Sequence, residues 1–384
     1  MPEQTSKRAG EYVAQLAGHF AFIPRPLPPD DPPIQWTPAL QALLSEADRA
    51  IGRLDTVTRI LPNPDLFLAM YVDREAVDSS RIEGTQASLT DLLEFRAAVP
   101  RSGRPTDVEE VSNYVEAMNL GLSLLEEIPV SQRLIRSVHE RLLKGVRGGE
   151  RSPGQFRRVQ NWIGGPGASG PEEAVFVPPP PSIVGPALSD LERFIHDETP
   201  MPPLVKAALV HAQFETIHPF LDGNGRVGRL LVTFLLCWKG ALQKPMLYLS
   251  DFFKRRRHEY YDRLQAVRDH GDWEGWLAFF LTGIKTVGAD AVETATAIQQ
   301  LREEHRSRLT RELKGSTTAL ALLDLLYEQP ILQAGRAAER LDCSYPTANK
   351  LLTQFTELGL LVETTGQARN RVFAYQPYLA LFSD

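Results

Sequence analysis

Twelve consecutive residues, His218–Arg229 (HPFLDGNGRVGR), carry side chains whose types and spacing could act together on a phosphate ester. A helix should end near His218, because Pro219 disfavours helical geometry in the residue before it. Asp222-Gly223-Asn224-Gly225 lets the backbone bend and expose successive N–H groups. A new helix then begins, with Arg226 and Arg229 three residues apart on one face. Backbone donors at a helix N-terminus beside two arginines suit a polyphosphate. Asp222 offers a hard oxygen ligand for Mg²⁺. His218 is the one base in the loop that titrates near neutral pH. These are the parts for attack of a hydroxyl on a nucleotide phosphate.

Other readings of the run fail on context. Gly223-x-Gly225-x-x-Gly228 matches the dinucleotide fingerprint in form, but that motif follows a strand, and the segment before it here is helical. No Lys-Ser/Thr follows the glycines, so a Walker A loop is excluded. His211, Glu215 and His218 match no zinc-hydrolase spacing. The remaining alternative is a glycine-rich turn with surface arginines, which the concentration of reactive groups in one turn disfavours.

The elements that must position this run are mainly helical. Apolar residues recur at helical spacing from Pro38 and again through DLFLAMYVDREAVDSSRIEG, which stops at Gly84. Ser88 or Thr90 opens a helix ahead of DLLEFRAAV. Further helices are predicted over Asp107–Glu127, Ser131–Leu143, Ser189–Asp197, Pro202–Thr216, Val227–Lys239, Asp251–Asp269 and Trp273–Ile284. Gly148–Pro181 differs, being rich in Gly and Pro with β-type pieces at Phe156–Ile163 and Ala174–Val177. It reads as a hairpin flap over a helical body. Ile23–Pro33, crowded with proline, reads as an extended arm.

The 384 residues suggest two or three domains. The expected division is an N-terminal helical region at 1–105, a catalytic domain at 106–289, a helical linker at 290–315 and a terminal domain at 316–384. A net charge of −6 argues against a uniformly basic nucleic-acid scaffold. Two cysteines, Cys237 and Cys343, build neither a disulfide framework nor a zinc cluster. The first twenty residues lack a signal-peptide core, and the longest apolar runs are too short to span a bilayer. A cytoplasmic protein without a membrane partner is the expectation.

HPFLDGNGRVGR resembles, without a mismatch, the HPFx(D/E)GNGRxxR signature of Fic-domain proteins. The likeness extends to GQFRRVQNWIGG (Gly154–Gly165), FVPPPP (Phe176–Pro181), PMLYLSDFF (Pro245–Phe253), YYDRL (Tyr260–Leu264) and GDWEGWLAFFL (Gly271–Leu281), covering about residues 106–285. The resemblance implies a helical Fic fold with a β-hairpin flap, and adenylylation: AMP passes from ATP to a Ser, Thr or Tyr hydroxyl of a target protein. It assigns His218 as general base and Asp222 as the Mg²⁺ ligand. Gly223, Asn224 and Gly225 become the anion hole, Arg226 and Arg229 hold the outer phosphates, and Phe220 anchors the loop. Tyr260 or Tyr261 is placed beside the adenine, and the flap holds the target peptide by strand addition. A homodimer is compatible with the resemblance but does not follow from the residues.

Ser79-Ser80-Arg81-Ile82-Glu83-Gly84 resembles the family's inhibitory pattern (S/T)xxxE(G/N). Ser79 and Glu83 are i and i+4, sharing one helix face. The resemblance pairs Glu83 with Arg229, where it would take the place of the γ-phosphate. Alone, the string would read as an ordinary helix end with Gly84 at C′. The same Glu83 could orient a water for AMP removal, giving a bifunctional enzyme.

Residues 316–384 resemble a winged helix-turn-helix, with Ser344–Leu358 as recognition helix and Leu361–Tyr375 as wing. Five basic residues (Arg336, Arg340, Lys350, Arg369, Arg371) face seven acidic ones, and a DNA-binding module ordinarily shows a basic face. DNA binding therefore stays open beside dimerisation or protein recruitment. A DNA-binding regulator with a nucleotide-sensing Fic domain is the competing function. Transfer of phosphate or phosphocholine is a third, which the complete anion hole with both arginines disfavours.

Overall fold

The computed structural model describes residues 6–60, 64–99, 103, 105–164, 169–367 and 370–382. Gly165 of the flap, Arg369 of the wing and Asp384 lie outside these residues.

The His218–Arg229 loop hangs between two helices at the centre of the molecule. α7 (Pro203–Ile217) is buried at every position from Leu204 to Ile217, so it is a central helix with no solvent face. α8 (Asn224–Trp238) packs beside it and is buried through most of its length. Around this pair lie α4 (Val108–Leu124), α5 (Gln132–Leu142), α6 (Pro181–His196), α9 (Ser250–Arg255) and α10 (Arg257–His270). α11 (Trp273–Glu312) runs behind them for 40 residues.

α4 approaches α8 closely at Gly121. A Cβ there would sit 2.1 Å from the Phe234 ring. Overpacking of this kind costs about 1–3 kcal/mol. Gly121→Ala should therefore lower the melting temperature by several degrees, as scanning calorimetry would show. An unchanged melting temperature would mean that the two helices part without cost.

The N-terminal region supplies α1 (Pro38–Ile60), which lies along α11, and α2 (Pro64–Ile82), which reaches α8. α2 stops where expected, with Gly84 at φ +97 just beyond its end. α3 (Leu89–Arg96) opens on Ser88 with a full capping box, because Ser88 and Asp91 satisfy each other's backbone N–H groups. Ahead of these helices, β1 (Gly10–Ala14) and β2 (Phe20–Pro24) form an antiparallel hairpin that periodicity had not indicated. The proline arm that follows is held by Arg8, which donates to the carbonyls of Pro32 and Pro33 and pairs with Glu274 of α11.

Three expectations about local structure need correction. The predicted strand Phe156–Ile163 shrinks to β3 (Ile163–Gly164), paired with β4 (Ala174–Phe176). Residues before it turn their donors toward the His218–Phe220 backbone instead of into a ladder. The single helix predicted over Asp251–Asp269 breaks at Arg256, whose φ and ψ (−119° and 39°) lie outside the helical region. α6 begins at Pro181, eight residues before the predicted Ser189, because a proline at the first helical position costs no hydrogen bond.

The charged stretch from 293 onward continues α11 without a break, and buries Ala295, Ile298, His305 and Leu309. The predicted boundary at 289/290 thus falls inside one helix. Beyond it, α12 (Thr317–Glu328), α13 (Ala334–Arg340) and α14 (Tyr345–Glu357) accompany a three-stranded antiparallel sheet. Its strands are β5 (Ile331–Gln333), β6 (Val362–Glu363) and β7 (Val372–Ala374), in the order β5-β7-β6. The chain closes with α15 (Gln376–Leu379) and a 3₁₀ turn over Ala380–Phe382.

Candidate active site

His218 caps the C-terminal end of α7 in the left-handed conformation, with φ 48° and ψ 60°. A non-glycine residue in that region costs of order 1–3 kcal/mol and persists only when its surroundings hold it. Two flap-side residues do so. Arg157, almost wholly buried, donates from Nε to the His218 carbonyl at 2.9 Å and from Nη2 to the Pro179 carbonyl at 2.6 Å. Asn161 donates to the Phe220 carbonyl at 2.9 Å. Burial, then the nearby Arg268 and Arg157 charges, lowers the His218 pKa to about 3. The imidazole is therefore neutral at physiological pH, the form a general base needs.

The loop after His218 is closed on itself. Phe220 N–H donates to Asn224 Oδ1, and Asn224 Nδ2 donates back to the Phe220 carbonyl, both at 2.8 Å. The Asn224 side chain is thus committed to shaping the turn. Gly223, at φ +76, makes the bend into α8 that a side chain would strain. Asp222 Oδ1 accepts from the Gly223 N–H at 2.7 Å and lies 3.6 Å from Arg226 Nη2.

Both arginines are buried and engaged with carboxylates. Arg226 pairs with Glu110 of α4 at 3.3 Å. Arg229 donates from Nε to Ser79 Oγ at 2.8 Å, and from Nη2 to the Ser79 carbonyl at 2.9 Å and to Glu83 Oε1 at 2.6 Å. Burial disfavours the charge on Arg229, but Glu83 more than offsets this and its pKa is raised. For Glu83, burial acts to raise the pKa, but the Arg229 charge and hydrogen bond outweigh it, so the carboxylate is held below its ordinary range. Its Oε1 lies 2.3 Å from where a Cβ on residue 225 would stand. The carboxylate therefore occupies the middle of the turn, against a backbone that only glycine allows so near.

The structure brings together His218, Asp222–Arg226 and Arg229 from the loop with Ser79 of α2 and Glu83 just past its end. It separates the two candidate adenine neighbours. Tyr260 is 1% exposed, stacked on Phe253 with its hydroxyl 2.9 Å from His211 Nε2, and is a core residue. Tyr261, at 40% exposed, keeps an accessible ring. Arg157, Asn161, Glu110 and His139 were not singled out from sequence. For the first two, the only signal was the likeness of Gly154–Gly165 to a family segment.

Two family profiles match this chain: "Fic/DOC family N-terminal" over residues 41–123 and "Fic/DOC family" over residues 129–236. The chain is a Fic/DOC-family protein. Among curated Fic relatives, the "Protein adenylyltransferase Fic" of Drosophila melanogaster is 32% identical over 208 residues, spanning 52% of this chain and 37% of the relative. A "Probable protein adenylyltransferase" of Aquifex aeolicus is 31% identical over 203 residues, spanning 53% of this chain and 57% of the relative. The match thus covers little more than a third to a little over half of those proteins. A solved Fic family protein from Desulfovibrio desulfuricans shares the fold, with a TM-score of 0.60 at 24% identity over 90% of this chain and 98% of that one. No described helix of this Fic protein is long and apolar enough to cross a membrane.

Proposed function

We propose that this Fic protein is an autoinhibited protein adenylyltransferase. The observation that carries the reading is the Glu83–Arg229 pair at 2.6 Å, set against Gly225 in the phosphate turn.

In the active form, the turn at Gly223, Asn224 and Gly225 and the start of α8 receive the ATP phosphates, with Arg229 and Arg226 neutralising charge. A Ser, Thr or Tyr hydroxyl of the target approaches along the flap. Neutral His218 takes its proton as the oxygen bonds to the α-phosphorus. The bond from the α-phosphorus to the bridging oxygen breaks, and pyrophosphate leaves. Such transfers depend mainly on positioning and charge neutralisation, which matches a site built from a rigid turn and two braced arginines.

Asp222 is suited to Mg²⁺. It offers a partly exposed carboxylate, and among the described residues no group of three or more His, Cys, Asp or Glu could hold a metal alone. One protein carboxylate with phosphate oxygens and water is the usual Mg²⁺ arrangement at nucleotides. The bound ion would neutralise phosphate charge.

In the inhibited form, Glu83 fills the position beside Arg229 that the terminal phosphate needs. Mass spectrometry of the protein incubated with Mg²⁺ and ATP tests the activity, the expected product being the chain with AMP attached. Phosphate or phosphocholine adducts in place of AMP would defeat the reading.

A further inference from the structure

His139 has no part in the chemistry above, yet it is wholly buried beneath the phosphate turn. Its ring lies on Phe220 with centroids 3.6 Å apart and planes within 4°. Nδ1 accepts from the Gly154 N–H at 2.8 Å, so the proton resides on Nε2, which donates to the Asp222 carbonyl at 3.0 Å. One ring thus ties α5 to the base of the flap, the loop anchor and the peptide unit that begins the anion-binding turn. Gly223 packs against the same ring, since a Cβ there would lie 3.6 Å from His139 Nε2.

We infer that His139 is a positioning residue for adenylyl transfer, setting the height of the Asp222–Gly225 backbone relative to His218 and joining it to the flap. This rests on the adenylyltransferase reading. A displacement of about 1 Å in such a turn costs on the order of 10²-fold in rate. The test uses the Glu83→Gly protein as parent. Adding His139→Phe, which keeps the stack and removes both hydrogen bonds, should lower kcat for labelled AMP incorporation by about 10- to 100-fold with a smaller change in KM for ATP. His139→Gln, which can still donate to the Asp222 carbonyl, should recover part of that loss. Hydrogen exchange over Pro219–Gly225 should speed up in the Phe variant. Equal kcat and equal exchange in parent and Phe variant would overturn the inference, as would a loss that Gln fails to relieve. If Phe prevents folding, the Gln variant's kcat and loop exchange decide. No AMP incorporation by the parent itself would count against the adenylyltransferase reading, and the exchange comparison would still judge His139.

A separate set of contacts concerns the face of α2 turned away from the active site. Arg74 donates to the Phe382 carbonyl at 2.7 Å, and the Phe382 ring meets Tyr71 edge-on at 5.4 Å. Phe382 is in turn packed on Tyr378, which meets Tyr327 of α12 edge-on. An open pocket of about 240 Å³ borders this seam, with Tyr71, Arg74, Asp78 and Phe382 among the residues that line it.

The geometry points to the C-terminal unit as a clamp that holds the inhibitory helix from behind. Phe382→Ala should raise labelled AMP incorporation severalfold in the otherwise native chain, add nothing in the Glu83→Gly background, and speed hydrogen exchange across Tyr71–Ile82. Unchanged exchange would overturn the clamp, and so would an equal gain in both backgrounds. Arg74→Gln serves as the second variant, with the same outcomes expected, if Phe382→Ala fails to fold.

Discussion

Glu83→Gly should raise incorporation of labelled AMP into the protein by about 10²-fold. Removing one partner of a buried ion pair typically shifts an equilibrium by about 3–5 kcal/mol. Glu83 is 31% exposed in its side chain, which places the effect toward the lower end of that range. The gain comes from vacating the space beside Arg229 and Gly225, so apparent ATP affinity and rate should rise together. Ser79 keeps two contacts to Arg229, so the arginine stays in position for a phosphate after Glu83 is gone. A filter assay with labelled ATP reads the result. Equal incorporation by the native and Glu83→Gly chains would end the autoinhibition reading.

The second large effect is the loss of that activity on adding His218→Ala. General-base catalysis contributes about 10²–10⁴-fold, so incorporation should fall to near background while nucleotide binding persists. Alanine must adopt the same left-handed conformation at position 218, so the substitution relieves no backbone strain, and a thermal melt run beside the assay checks that the fold is kept. The depressed pKa gives this prediction a pH signature. A histidine with an ordinary pKa near 6.5 would lose its base form on acidification through pH 6. His218, lowered to about 3 chiefly by burial, binds its proton only well below that. Glu83 acts to raise this pKa, so its removal in the Glu83→Gly background pushes the same way. The Glu83→Gly protein should therefore hold its rate from about pH 7.5 to about pH 5.5. An acid limb centred near pH 6.5 would show that His218 is not the base, or that it is solvated in the working complex.

The Fic relatives, the shared fold and the site geometry meet at one structural theme. The loop's side chains are few, and much of their work is to hold its own backbone. Asn224 closes the turn on Phe220, Arg157 secures the strained His218, and Asp222 caps the Gly223 N–H. The turn and the start of α8 are thereby held in one fixed arrangement.

What could be read along the chain was whatever one or two turns of backbone contain. The His218–Arg229 run announced its chemistry because base, acid, glycines and arginines fall within twelve residues, and the helices before and after follow from proline, glycine and periodicity. Ser79 and Glu83 shared a face by the same local rule. The pairing of Glu83 with Arg229 joins positions 146 residues apart, and the fold alone brings them together. The braces were invisible for a related reason. Arg157, Asn161 and His139 act on backbone carbonyls and N–H groups, which every residue carries, so no side-chain pattern marks their targets. Tyr260 and Tyr261 are adjacent and chemically alike, and packing against Phe253 and His211 took one into the core and left the other at the surface. Local covalent geometry therefore set the reactive turn, whereas long-range packing chose its partners, its braces and the carboxylate that closes it.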